Sequence, residues 1–242
     1  MTKINNTLTA LADRGYLEDL IPTRADNNKI PAISDWTNHK TSRSDIQGWE
    51  TDQGIGLICR RVVAVDIDIE YSTKEALAIQ QLATEILGAA PCRVGKEPKR
   101  LLVYRLKETP INKKILKLEK DGHEEKIEIL GEKQHFVCYG THPDTKQPYK
   151  WLGDELSEMS INDLTAITIE QLNKFLEAAE SHLLKEGYVV TGSKKDKKAN
   201  TEDRKVIGDQ SLMASPELIK QALSFIPNNK DDERTEIKNH DE

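Results

Sequence analysis

The stretch Val62-Val63-Ala64-Val65-Asp66-Ile67-Asp68-Ile69 decides how this chain is read. A run of aliphatic, mostly β-branched residues predicts a strand that starts inside a sheet, covered on both faces. Side chains alternate along a strand, so Asp66 and Asp68 share one face while Val65, Ile67 and Ile69 point to the other. Two carboxylates one strand-step apart repel each other unless a cation joins them. Such a pair either caps the exposed end of a core strand or forms the hard-oxygen end of a Mg2+ or Mn2+ site whose metal also holds substrate phosphates. The aliphatic run leading straight into Asp-x-Asp favours the metal. Glu70 has the same parity but lies nearer the following loop, where it can be a spectator.

Outward from this strand, residues 55–59 read as a second strand adjacent to it, and further strands are expected at 92–95, 101–105, 126–130 and 136–139. Thr73 opens a helix whose apolar positions Leu77, Ile79, Leu82, Ala83 and Ile86 cover a broad face before Gly88. Upstream, Ile4, Leu8, Leu11 and Ala12 have helical spacing before Gly15, and Ile30, Ile33 and Trp36 anchor an ordered loop. Residues 44–49 suit a helical turn. Downstream, Thr168 and Gln171 have capping-box spacing ahead of Leu172, Phe175, Ala179 and Leu183, and Gly187 is the natural stop. Lys194, Lys195, Lys197 and Lys198 then lie in a stretch almost without apolar residues, followed by an amphipathic piece at 216–226 and a polar end. The expected organisation is an α+β domain over 1–187, a polar linker over 188–210, and a short helical segment with a polar tail over 211–242.

Three further features bear on chemistry. Glu128 interrupts the apolar strand Lys126-Ile127-Glu128-Ile129-Leu130, where it either faces solvent or supplies a third carboxylate to the Asp66 and Asp68 pair. Residues 92–107 hold Arg93, Lys96, Lys99, Arg100, Arg105 and Lys107 against Glu97 alone, a local net of +5 in a chain of net −6. This is either a solvated basic hairpin or the wall of a polyphosphate site, with Arg93 forking onto phosphate oxygens and Gly95 admitting a close backbone approach. In Gly140-Thr141-His142-Pro143-Asp144-Thr145, His142 sits in a loop whose backbone Pro143 stiffens, so its imidazole either donates to a phosphate or hydroxyl or bonds its own loop.

Composition limits the alternatives. The 242 residues are 37% hydrophobic, and even with 13 glycines added they fall a little under the usual roughly 45–50%, which fits a soluble domain with a polar tail. Net charge −6 gives no global attraction to nucleic acid or an anionic membrane, so such binding must be local, weak and salt-sensitive. Cys59, Cys92 and Cys138 are too scattered for a disulfide framework or a zinc knuckle. No apolar run approaches the roughly 18 residues of a spanning helix, and the first residues lack a signal core. A soluble cytoplasmic protein with reduced thiols is expected.

Taken in order, Asn28-Lys29-Ile30-Pro31 with Trp36, Gly54-Ile55-Gly56-Leu57, Val65-Asp66-Ile67-Asp68, Arg93-Val94-Gly95-Lys96-Glu97-Pro98-Lys99-Arg100-Leu101, Ile127-Glu128-Ile129-Leu130, and Gly140-Thr141-His142-Pro143-Asp144-Thr145 through Tyr149 and Trp151 resemble the primase-polymerase domain of the archaeo-eukaryotic primase superfamily, of the phage and plasmid type. The resemblance implies a mixed sheet with helices packed on its outer faces, in two fused α/β lobes with the cleft between them. It implies that Asp66, Asp68 and Glu128 are catalytic and converge to bind Mg2+ or Mn2+, and that Arg93, Lys96, Lys99, Arg100, His142 and Lys29 bind nucleotide and DNA. The implied activity is template-directed primer synthesis with a single-stranded DNA template and nucleoside triphosphates, in replication of a mobile element, with a replicative helicase in trans. One departure stands out: the family's second motif commonly carries a histidine between the acids, and Pro98-Lys99-Arg100-Leu101-Leu102-Val103-Tyr104 has none. Lys99 or Arg100 can neutralise phosphate instead. The rivals are a binding module that has lost turnover and a two-metal nuclease.

Overall fold

A computed structural model describes residues 3–50, 52–107 and 111–191. The linker beyond 191 and the amphipathic piece at 216–226 lie outside the described residues. The chain forms helix α1 (Lys3–Asp13), strand β1 (Leu20–Thr23), helix α2 (Arg43–Gln47), strands β2 (Gly54–Ile58) and β3 (Val62–Asp68), helix α3 (Thr73–Leu87), and strands β4 (Cys92–Val94), β5 (Arg100–Leu106), β6 (Lys114–Lys120), β7 (His123–Leu130), β8 (His135–Tyr139), β9 (Lys150–Leu152) and β10 (Ala166–Ile167). Helix α4 (Ile169–Lys185) and strand β11 (Val189–Thr191) complete it. The larger sheet has the order β11-β6-β7-β3-β5-β4-β9, with β10 added in parallel to β5, and a separate antiparallel sheet has the order β1-β2-β8. This is the mixed α+β architecture expected.

Strand β3 is central and buried on both faces at its start. Val63, Val65 and Ile67 pack with Ile79 and Ala83 of α3 and Phe175 and Ala179 of α4. Val62 and Ala64 join Leu101, Val103 and Leu130 beneath α1 and the smaller sheet, against Leu8, Leu11, Leu57 and Phe136. Burying each large aliphatic side chain contributes about 1.5–3 kcal/mol. A one-residue slip of β3 would forfeit that and turn Asp66 and Asp68 into the helix layer, so packing fixes the register that places the acids. On the second face the cover ends after Ala64, and Asp66 and Asp68 are partly buried.

Several details depart from the sequence reading. The strands expected to be adjacent, β2 and β3, lie in different sheets, because the second face of β3 needs a cover and β2 supplies part of it. The two long helices share one face of the larger sheet, and α1 packs over the other. The stripe on α3 runs through Ala76, Ile79, Ala83 and Leu87, leaving Leu77 46% exposed. The sheet also continues past Gly187: α4 ends with Tyr188 N–H donating to Leu183 O at 3.0 Å, and Val189–Thr191 pairs with β6. The edge of β6 recruits residues that composition alone assigns to a linker. The capping box of Thr168 and Gln171 forms as expected, and Cys59, Cys92 and Cys138 are free and buried.

The loops facing the larger sheet are tied together by Asn28, which is 4% exposed. Its side-chain amide donates to Arg24 O and its Oδ1 accepts from Thr141 N–H, both at 2.6 Å. Gly140 has φ +140° and a Cβ there would meet Asn28 Oδ1 at 2.5 Å, so glycine is needed for this close approach. Asn28→Ala should lower unfolding free energy by about 1–3 kcal/mol in urea titrations, the usual range for two lost hydrogen bonds.

Candidate functional site

Glu128 of β7 lies directly across from Asp66 of β3, and Lys126 lies across from Asp68. Directly opposed residues share a face, so the three acids occupy one face of two neighbouring strands. Around them runs an alternation of ammonium and carboxylate. Lys113 Nζ lies 2.6 Å from Glu128 Oε1, and Lys126 Nζ lies 2.7 Å from Glu128 Oε2 and 3.7 Å from Asp68 Oδ2. Lys99 Nζ lies 2.8 Å from Asp68 Oδ1 and 2.7 Å from Glu70 Oε2, and Lys96 closes on the other Glu70 oxygen. Glu70 is therefore no spectator but the tether of two lysines.

The acids differ electrostatically. Burial pushes the Asp66 carboxyl up to about 6, Arg93 pulls against that, and Asp68 and Glu128 add to it. Among the described residues no cation lies within ion-pair distance of Asp66. Burial alone would raise Glu128 too, but Lys113 and Lys126 outweigh it and hold it below the ordinary carboxylate value. Lys96, and then Lys99, hold Glu70 down at about 2.

The basic segment forms the adjoining wall. Arg93 of β4 donates to Val137 O of β8 at 3.0 Å and lies 4.4 Å above the Tyr149 ring, so it is clamped between the two sheets. A Cβ at Gly95 would lie 2.4 Å from Tyr149 and 2.7 Å from His142, which is why this wall needs a glycine. Arg100 is 7% exposed and engaged by Glu97, and its register opposite Ile67 puts its Cβ on the face away from the acids. On β5 the residue opposite Asp66 is Leu101.

His142 is 5% exposed. Its Nδ1 accepts from the backbone N–H groups of Asp144 and Thr145 at 3.3 and 3.4 Å, which leaves Nε2 as the protonated nitrogen of a neutral ring. Burial lowers its pKa, and Lys29, Arg93 and Lys96 lower it further against Asp144. Lys29 reaches toward Asp144, with 3.9 Å between Nζ and Oδ2.

One cavity of about 270 Å3 is lined by all nine candidate residues: Asp66, Asp68, Glu128, Arg93, Lys96, Lys99, Arg100, His142 and Lys29. Tyr149, Asp144 and Lys126 line it as well. The sequence reading did not assign Lys113 or Lys126 a role; the signal for Lys126 was its parity with Glu128, two residues away. The carboxylates are not drawn to mutual ligand distance. Among the described residues the group of three with ligand atoms all within 4.8 Å is Glu75, His182 and Glu186, in the helix layer and outside this cavity. There Lys74 pairs with both Glu75 and Glu186. In the cavity Lys113 and Lys126 take the oxygens of Glu128, and Lys99 takes one of Asp68. The donor set nonetheless suits a hard divalent cation: it is all oxygen, and it includes a partly buried, unpaired Asp66 beside positions that already accept ammonium groups.

An acid cluster on one wall and a cationic surface on the other can bind a polyphosphate together with hard cations. Residues 8–166 match the family model described as Bifunctional DNA primase/polymerase, N-terminal (Prim-Pol). The chain belongs to that family, whose activity is DNA primase/polymerase nucleotidyl transfer and whose members typically use divalent metals. A search of curated proteins gave no match. Among the described residues no helix is long and apolar enough to cross a membrane.

The buried imidazoles make stability depend on pH. Burial also lowers the pKa of His135, so the unfolded chain takes up protons at the ordinary 6.5 before folded His135 and His142 do. Their contribution is present above that pH and is lost as pH falls through it. Asp66, whose pKa is raised, acts in the opposite sense. Urea unfolding at about pH 7.5 and about pH 5.5 should therefore show the double variant His135→Gln/His142→Gln losing less stability on acidification than the wild type.

Proposed function

We propose that this domain catalyses template-directed nucleotidyl transfer, extending a primer on a single-stranded DNA template from nucleoside triphosphates. The observation that carries this reading is the direct cross-strand pairing of Asp66 with Glu128, with Asp68 beside them, at one wall of a cavity whose other wall is Lys29, Arg93, Lys96 and His142. Asp66, Asp68 and Glu128 would hold Mg2+ or Mn2+. A cation held there would supply Lewis-acid chemistry, lowering the pKa of the attacking hydroxyl and offsetting charge on the leaving pyrophosphate. Arg93, stacked on Tyr149, presents its guanidinium to the triphosphate, and Lys29 and Lys96 add charge. His142 stands in for the absent second-motif histidine: neutral, with its hydrogen on Nε2, it donates to a phosphate oxygen without needing to titrate. Lys99 and Arg100, held by acids, contribute to the local potential more than to direct contact. The resemblance extends this reading to replication of a mobile element with a helicase in trans.

A second reading, a nucleotide- and DNA-binding module without turnover, is favoured by Leu101, which occupies the acid-face position of β5 opposite Asp66. Primer extension with Mn2+ or Mg2+ decides. The wild type should add nucleotides to a primed single strand, and Asp66→Asn/Asp68→Asn should reduce incorporation by more than about 100-fold, as expected when transition-state charge loses its stabilisers. Metal-dependent nucleotide binding without extension supports the module instead, and nucleotide-independent shortening of labelled DNA supports a nuclease.

A further inference from the structure

The face that carries the acids continues beyond Glu128. Antiparallel register sets Ile115 of β6 directly opposite Glu128 and Lys117 opposite Lys126, so the rows Asp66–Glu128–Ile115 and Asp68–Lys126–Lys117 cross three neighbouring strands on one face. The row ends at Thr191 of β11, opposite Lys117. Here the smaller sheet gives no cover: Ile115 is 45% exposed, although its neighbours Leu116 and Leu118 turn inward and are buried. Among the described residues no carboxylate lies within ion-pair distance of Lys117. A second cavity, of about 530 Å3, is lined by Ile115, Lys117, Lys113 and Thr191, and it shares Asp68, Lys99, Lys126 and Glu128 with the first. Asp68 and Glu128 thus form a ridge between these two cavities, with Asp66 on the side of the first.

The cavities differ in charge. The first has six Lys and Arg side chains against four carboxylates, and the second has four lysines against five. A nucleoside triphosphate brings about four negative charges in a compact group, whereas a polynucleotide brings one per phosphate and much apolar sugar and base surface. In-line displacement needs the attacking and leaving oxygens on opposite sides of the reacting phosphorus. With the triphosphate tail on the cationic side, the attacking strand comes from the other.

Resting on the nucleotidyl-transfer reading above, we infer that the open β6–β7 face holds the terminal nucleotides of the primer strand, with Ile115 against a sugar or base and Lys117 against a backbone phosphate. The primer 3′-oxygen reaches the ridge from this side and bonds the α-phosphorus while the bond from the α-phosphorus to the α–β bridging oxygen breaks. Pyrophosphate leaves into the first cavity, and the hydroxyl proton passes to water.

The test uses the full chain, a fluorescent primed DNA template and a dNTP. Anisotropy titrations across a salt series and primer-extension kinetics are compared for the wild type, Lys117→Ala, Lys117→Glu and Ile115→Ser, with thermal melts to confirm folding. Both altered side chains are exposed, so the fold is expected to hold. Lys117→Glu and Ile115→Ser should raise Kd and KM for the primed template about tenfold or more while leaving KM for dNTP within about twofold. Lys117→Ala should reduce the slope of log affinity against log salt by about one, the loss of one phosphate contact. A wild type that extends primers alongside variants with unchanged template Kd, KM and salt slope overturns the inference alone. A rise in KM for dNTP without one for template also overturns it, since the two cavities would then be reversed. A wild type that neither binds nor extends the primed template overturns the nucleotidyl-transfer reading and the inference with it.

Discussion

Two-sided burial of β3 is the constraint from which the rest of the site follows. Val63, Val65 and Ile67 are committed to the helix layer, and Val62 and Ala64 to the layer made by α1 and the smaller sheet. The strand therefore cannot slide or rotate, and the next two residues of even number emerge where the second layer stops. Those residues are Asp66 and Asp68, and pairing with β7 in the same rigid register sets Glu128 beside Asp66. Three carboxylates are held together by hydrophobic packing that none of them helps to stabilise. Burial makes ionised Asp66 costly, which a cation would relieve.

The lysines around the acids give the site its second property. Lys113, Lys126 and Lys99 occupy oxygens of Glu128 and Asp68, so the cluster is charge-balanced before any other cation arrives. An ammonium on a flexible stem can leave such a pair and turn to a phosphate, and a partly exposed ion pair of this kind contributes little to stability. Among the described residues the carboxylate oxygens of the cavity are not gathered at mutual ligand distance, whereas the ligand atoms of Glu75, His182 and Glu186 are.

Much of the architecture could be read from the chain because its signals are local. The aliphatic run of β3, the capping box of α4 and the Gly187 stop each depend on a few neighbouring residues, and each appears where the pattern puts it. The elements that escaped are short strands and one longer strand with a weak apolar pattern. β1 and β11 have four and three residues, and β6 alternates lysine with leucine so that its buried positions, Leu116 and Leu118, are outnumbered by polar ones. Their strand state is set by the partner edge rather than by their own composition. Of the apolar positions expected on α3, Ile79 and Ala83 are buried and Leu82 and Ile86 pack against the same core, and only Leu77 is left outside once the sheet selects which side of the helix is covered.

By itself the sequence determined which residues can carry charge on one side of a strand, because alternation is a property of the backbone. That brought Asp66 and Asp68 together, marked Glu128 as anomalous, and concentrated positive charge in residues 92–107. Only the tertiary structure decided that Glu128 faces Asp66, that His142 and Lys29 arrive from the opposite layer to line the same cavity, and that Arg100 is engaged by Glu97. Strand order and the ending of a covering layer depend on residues far apart in the chain, and no local pattern encodes where they meet.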